Sequence, residues 1–291
     1  ITGDLLDRSI RYAIERKRAE RTSLKLRASE FNAAEKARLE RGLLPTPLLH
    51  SGTIECATYY RPGRDLAVLG GDFYDVVETA DGSVRAVIGD VMGHGPDEAA
   101  IGVHLRVAWR TLVLAGTADE QILRTLADLF AAETGGQSGF VTVCDLTLGP
   151  ARAGADRVAT IRIAGHPAPL LCAGARTDYL QVAVGPPLGV AVPADVRQRW
   201  AATGGWPQTM LTVADGSSLI LYTDGLLDAY AADASSRSGL GLDELVAAVA
   251  YCAAGSNVVS SWIPTLMDGA PNRSLDDTAV VVITARAADP T

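Results

Sequence analysis

From about residue 50 onward, short runs of β-branched and apolar residues alternate with turn residues, and no other feature of this sequence restricts its fold so strongly. The runs predict strands over 53–60, 66–69, 74–79, 84–89, 140–147, 158–163, 168–172, 219–223 and 279–284. Helices are predicted over 97–115, 119–133 and 241–254, with a further helical stretch near 256–267. Gly95-Pro96 breaks the chain before the first helix, Asp97 and Glu98 suit its start, and Ile101, Leu105, Ala108 and Leu112 share one face. Strands divided by two helices, then more strands and helices, point to stacked antiparallel sheets with helices outside.

The first 41 residues are different. Residues 4–41 read as one long helix, without proline, until Gly42 and the prolines of Leu43-Leu44-Pro45-Thr46-Pro47 stop it. Ile10, Ile14, Leu24, Ala28 and Phe31 keep a 3–4 spacing that Lys17 and Arg21 interrupt, an imperfect heptad that suits a dimerising coiled-coil linker. Charge marks the same boundary. Residues 1–41 hold eleven Lys and Arg against seven Asp and Glu, whereas the rest holds fifteen against twenty-seven. All three lysines lie in the first segment, so the acidic body offers no nucleic-acid groove, no Schiff-base lysine and no P-loop lysine. The expected division is a helical linker over 1–45, a catalytic domain over 46–286 and a tail over 287–291.

Cys56, Cys144, Cys172 and Cys252 are widely spaced and form no CxxC pair, which excludes a zinc ribbon and fits inert thiols. No stretch reads as a signal peptide or a bilayer span, and a cytoplasmic address is expected.

The chemistry lies in acids at predicted strand edges. Asp72 follows Gly70-Gly71, Asp90 follows Gly89, Asp224 precedes Gly225, and Asp276-Asp277 precede the last strand. Taken singly, an Asp-Gly pair is usually a turn, as Asp81-Gly82 and Asp215-Gly216 are expected to be. If the four edges converge, like charges repel at short range, and a pair of hard divalent cations is the natural compensation. An oxygen-ligated pair of metals ionises water near neutral pH and clamps a phosphoryl group, so hydrolysis of a phosphate ester is the expected chemistry.

Six motifs occur in the order seen in the SpoIIE/RsbU branch of the metal-dependent, type 2C-like (PPM) serine/threonine phosphatases: Gly70–Asp75 (GGDFYD), Gly89–Gly95 (GDVMGHG), Gly165–Leu170 (GHPAPL), Pro187–Gly189 (PLG), Leu221–Gly225 (LYTDG) and Asp276–Thr278 (DDT). The chain resembles that branch over roughly 46–286. The resemblance implies an α/β (α+β) fold, a four-layer α-β-β-α sandwich of two antiparallel sheets flanked by helices, with two Mn²⁺ or Mg²⁺ ions at one edge. It implies that Asp90 bridges both metals, that the Val91 carbonyl completes one coordination sphere, and that Asp72 serves the second ion directly or through water. Asp224 and Asp276 would hold the first ion, and Asp277 matches a position that is not always a carboxylate. Implied substrates are phosphoserine or phosphothreonine on small STAS-domain anti-sigma-factor antagonists. Met92 and Ala168 depart from the usual residues, but every ligand position is filled.

His94 and His166 could each polarise a water or a leaving group, or pin their own glycine-rich loops; the second is the commoner role. Arg61 and Arg64 could meet the phosphate or be surface charge. Residues 4–20 resemble the last helix of a response-regulator receiver domain, which is expected to precede Ile1 and to signal through the linker to the helices over 97–133. The expected assembly is a homodimer through that helix. A nucleotide cyclase is set aside, because Phe73-Tyr74 stand where such a signature would differ and the body has no lysine. A signalling scaffold that binds its partner protein without turnover stays open.

Overall fold

Thr278–Ala285 (β11) is rich in β-branched residues and buried at every position, so it needs cover on both faces and a strand on either side. It has all of these. β11 lies between β1 (Ile54–Arg61) and β10 (Ser218–Tyr222), and the sheet continues through β6 (Leu170–Ala173) to β7 (Arg176–Tyr179). A second sheet runs β2 (Phe73–Glu78), β3 (Val84–Val91), β4 (Val141–Leu148), β5 (Arg157–Ala164). Beyond β5, β9 (Gln208–Val213) pairs antiparallel along 157–162, and β8 (Val184–Gly185) adds a short parallel pairing at Ile163 and Ala164. Every other pairing between these strands is antiparallel among the described residues.

This computed structural model describes residues 12, 15–18, 21, 43–63, 69–93, 95–136, 139–152, 155–174, 176–192, 205–231, 240–256 and 258–286. The chain divides into two compact units, Ile1–Leu44 and Pro45–Thr291. In the first, Tyr12, Glu15, Arg16, Lys17, Arg18 and Arg21 are helical and exposed. The rest of the expected linker helix, its heptad positions included, lies outside the described residues, as does the tail.

Alternation along the strands sorts the second unit into layers. Val77, Val87, Val91, Val141 and Val143 pack against helices α1 (Pro96–Leu114) and α2 (Asp119–Glu133). The intervening residues of the same strands, such as Val76, Ala86, Ile88 and Leu146, are equally buried and face the other sheet. On that sheet Ile220, Tyr222, Val280 and Val282 pack against α4 (Leu240–Gly255) and α5 (Trp262–Gly269). The result is two sheets back to back with helices on both outer faces.

One ion cluster fixes α1 to its sheet. Asp75 on β2 is fully buried and takes Arg110 Nε at 2.7 Å and Arg106 Nη1 at 3.3 Å. Arg110 also donates to the Thr46 carbonyl at 3.0 Å, so the segment entering this unit is tied to the same point.

The strand expected over 66–69 lies outside the described residues except at Leu69, which is not in a strand. Two expectations need correction. β7, β8 and β9 were not expected, because edge strands with half their residues exposed carry a weak apolar pattern. Asp224 does not end a strand. β10 stops at Tyr222, Thr223 is extended, and Asp224 begins a helix, α3 (Asp224–Tyr230), too short to show a helical period.

Candidate metal centre

The two sheets bring their acids to one end. Phe73 pairs with Gly89, which sets Asp72, just before β2, beside Asp90 near the end of β3. Asp90 pairs in turn with Thr142, and by alternation it shares the inward face of Ile88. In the other sheet Tyr222 pairs with Val280, which places the start of α3 against the bend that holds Asp276 and Asp277. A Cβ on Gly225 would stand 1.8 Å from the Asp277 carbonyl oxygen, so only glycine permits that approach. Thr223 joins the sheets directly: its hydroxyl donates to Asp72 Oδ2 at 2.7 Å.

These carboxyl groups influence one another's titration. Burial, then the neighbouring Asp90 charge, raises the Asp72 carboxyl well above the usual range. Asp90 is pushed up to about 7 by burial and then by Asp224, Asp276 and Asp277. Asp224 and Asp276 stand at the exposed rim. Asp224 is still raised, first by lost hydration among its neighbours and then by the charges of Asp276 and Asp228. Burial also raises Asp277, against the pull of N–H donors from Gly63, Gly71 and Asp72. The convergence is one of charge rather than of finished coordination: among the described residues no three His, Cys, Asp or Glu side chains are already drawn into a cage.

The donor set still suits hard cations. It consists of carboxylates plus the Val91 carbonyl, whose oxygen lies 2.5 Å from where a Cβ on Gly71 would be. Burial and then the charges around it disfavour the ionised form of Asp90, and a divalent cation is the kind of group that would compensate it.

His166 belongs to the scaffold. It is buried, its Nδ1 lies 2.8 Å from the Thr142 hydroxyl, and its Nε2 lies 3.1 Å from the Tyr222 carbonyl. A carbonyl only accepts, so Nε2 carries the proton and Nδ1 accepts from Thr142. Burial lowers its pKa to about 3, which keeps the ring neutral. His94 and Arg64 lie outside the described residues. Arg61 pairs with Thr278 on the side of β1 that faces the outer helices, and its Nε is buried without a hydrogen-bond partner.

Sequence reasoning missed Thr223, Gly63 and Asp228. Asp228 is raised by burial and then by Asp276, and it stands one helical turn from Asp224. That i, i+4 spacing is a usable signal once α3 is known to be a helix.

The family described as Stage II sporulation protein E (SpoIIE) matches residues 80–286, a span that takes in Asp90, Val91, Asp224, Asp276 and Asp277 and starts after Asp72. Phosphoserine phosphatase RsbP of Bacillus subtilis (strain 168) is 25% identical over 195 residues, 66% of this chain and 44% of that protein. The chain thus spans less than half the length of that curated relative. The RsbU and RsbW domains of Rv1364c from Mycobacterium tuberculosis superpose with a TM-score of 0.66 at 25% identity, over 81% of this chain and 61% of that one. RsbX in complex with magnesium superposes with a TM-score of 0.57 at 13% identity, over 82% of this chain and 98% of that one, a likeness of fold alone.

Proposed function

This chain belongs to the stage II sporulation protein E family and has the two-sheet fold of type 2C phosphatase domains, and from that premise we propose that it is a metal-dependent protein serine/threonine phosphatase. The observation that carries the reading is the convergence of Asp72, Asp90, Asp224 and Asp276 at one end of both sheets, with the Asp90 carboxyl pushed up to about 7. Two Mn²⁺ or Mg²⁺ ions fit this donor set. Asp90 would face both, the Val91 carbonyl and Asp72 would serve one, and Asp224 and Asp276 the other. Such a pair, when bound, supplies a water ionised near neutral pH and a clamp for phosphoryl oxygens.

The chain's own residues hold and orient. Asp72 and Asp90 come from one sheet, Asp224 and Asp276 from the other, so the stacking of the sheets sets their separation. His166 has both ring nitrogens engaged within the protein and holds the Tyr222 carbonyl two residues before Asp224. It offers no proton to a substrate.

The substrate we propose is phosphoserine or phosphothreonine on a STAS-domain anti-sigma-factor antagonist; the similarity to a protein named phosphoserine phosphatase supports the first half of that reading. The N-terminal helix would dimerise the protein and carry the output of a receiver domain. No helix among the described residues is long and apolar enough to cross a membrane.

Phosphate release from a phosphoserine peptide, measured in EDTA, Mg²⁺ and Mn²⁺, tests the activity. Metal-dependent turnover that falls at least 100-fold, or about 2.7 kcal/mol, in Asp90→Asn is the expected result. A wild-type chain without turnover in any metal would leave the partner-binding scaffold as the better reading.

A further inference from the structure

Asp72 is supported through both its side chain and its peptide group by residues of the opposite sheet. Thr223 is fully buried between β10 and α3. Its Oγ1 accepts the Ala279 N–H at 2.9 Å, and its own N–H donates to the Ala279 carbonyl at 3.1 Å. A hydroxyl has one proton. With a lone pair committed to Ala279, that proton goes to Asp72 Oδ2 at 2.7 Å, since the alternative acceptor, the Ala279 carbonyl, is at 3.5 Å. The Asp72 side chain is therefore held through Oδ2 by Thr223.

Asp277 does for the backbone what Thr223 does for the side chain. Its Oδ1 accepts the Gly63 N–H at 2.8 Å and its Oδ2 accepts the Gly71 N–H at 2.9 Å, while the Asp72 N–H also donates to this carboxylate. The chain is built around it: a Cβ on Gly70 would lie 1.5 Å from Asp277 Oδ2. Both oxygens are spent on peptide groups, whereas neighbouring Asp276 stands exposed and, among the described residues, accepts the Asp277 N–H at 2.9 Å.

We propose that Thr223 and Asp277 are positioning residues that set Asp72 for cation binding, Thr223 through the carboxylate and Asp277 through the peptide groups of 71–72, and that Asp277 is not itself a ligand. This rests on the metal-centre reading above. Residues that orient a metal-binding carboxylate typically matter roughly 10–100-fold in metal affinity.

The test is Mn²⁺ binding to the whole chain, read as the loss of the free-ion signal in electron paramagnetic resonance, which requires no turnover. Thr223→Val should bind the same number of ions as wild type, roughly 10–100-fold more weakly, and Thr223→Ser should restore wild-type affinity. Asp277→Asn keeps one acceptor oxygen and should weaken binding without losing an ion, whereas Asp276→Asn should lose one. Wild-type affinity in Thr223→Val, or loss of an ion in Asp277→Asn, overturns the proposal. Should Thr223→Val not fold, Thr223→Ala takes its place; if neither folds, Thr223 serves the fold and the proposal is wrong. A wild-type chain that binds no Mn²⁺, or an Asp90→Asn chain that binds it equally well, instead overturns the metal-centre reading itself.

Discussion

His166 and Asp90 respond to pH in opposite directions, and the sign follows from burial in each case. His166 has its pKa lowered from 6.5 to about 3, so the native state refuses a proton that the unfolded chain accepts. Its penalty is absent above pH 6.5 and grows as pH falls toward 3, reaching about 2 kcal/mol near pH 5 at 1.36 kcal/mol per unit. Asp90, raised from 3.8 to about 7, favours the protonated native state, so its contribution is present at low pH and is lost as pH rises through 7. Two measurements separate them. The difference in urea-unfolding free energy between wild type and His166→Gln should shrink by about 2 kcal/mol from pH 7.5 to pH 5. In EDTA, replacing Asp90 by Asn should flatten the decline in stability between pH 5 and pH 8; an unchanged decline would mean that burial and the neighbouring charges do not raise it.

Strands and helices owe their placement to a few buried polar contacts on top of an apolar ground plan. The ground plan for α1 is legible in its period of Leu105, Ala108 and Leu112, but the period does not say where along β2 the helix docks. Asp75 does, through Arg106 and Arg110. Removing one partner of a buried pair leaves the other charges uncompensated, so Asp75→Ala should cost about 3–5 kcal/mol in urea unfolding. Arg110→Gln should cost less, because Arg110 is partly exposed and Arg106 remains. Equal losses would mean that Arg110 alone makes the dock. α3 shows the reverse case: Asp224-Gly225-Leu226-Leu227 has no period to read, and its helix exists because β10 ends where Leu226 and Tyr230 can enter the apolar layer under α4.

The assembled protein places its charge problem where its two sheets meet, so cation binding should report on the fold as a whole. An ion that binds only the native state stabilises it by about 2.7 kcal/mol at 100 times its dissociation constant. Mn²⁺ should accordingly raise the melting temperature of the wild-type chain and leave that of Asp90→Asn nearly unmoved. A rise of the same size in both would assign the effect to some other site.

The layered fold could be read from the chain because it depends on local rules. β-branched runs such as Val280–Ile283 have one good use, a covered central strand, and the acids sit at the ends of runs that any such sheet must terminate. The supports of those acids follow no local rule. Asp277 reaches Gly63 across 214 residues and Gly71 across 206, and Thr223 reaches Asp72 across 151. What the glycines beside the acids make room for is likewise decided between distant segments. Gly70 makes room for the Asp277 carboxylate, Gly225 for the Asp277 carbonyl, and Gly71 for the Val91 carbonyl. Contacts between segments so far apart come into being only when the sheets stack, because stacking fixes distances that neither strand period nor residue type encodes.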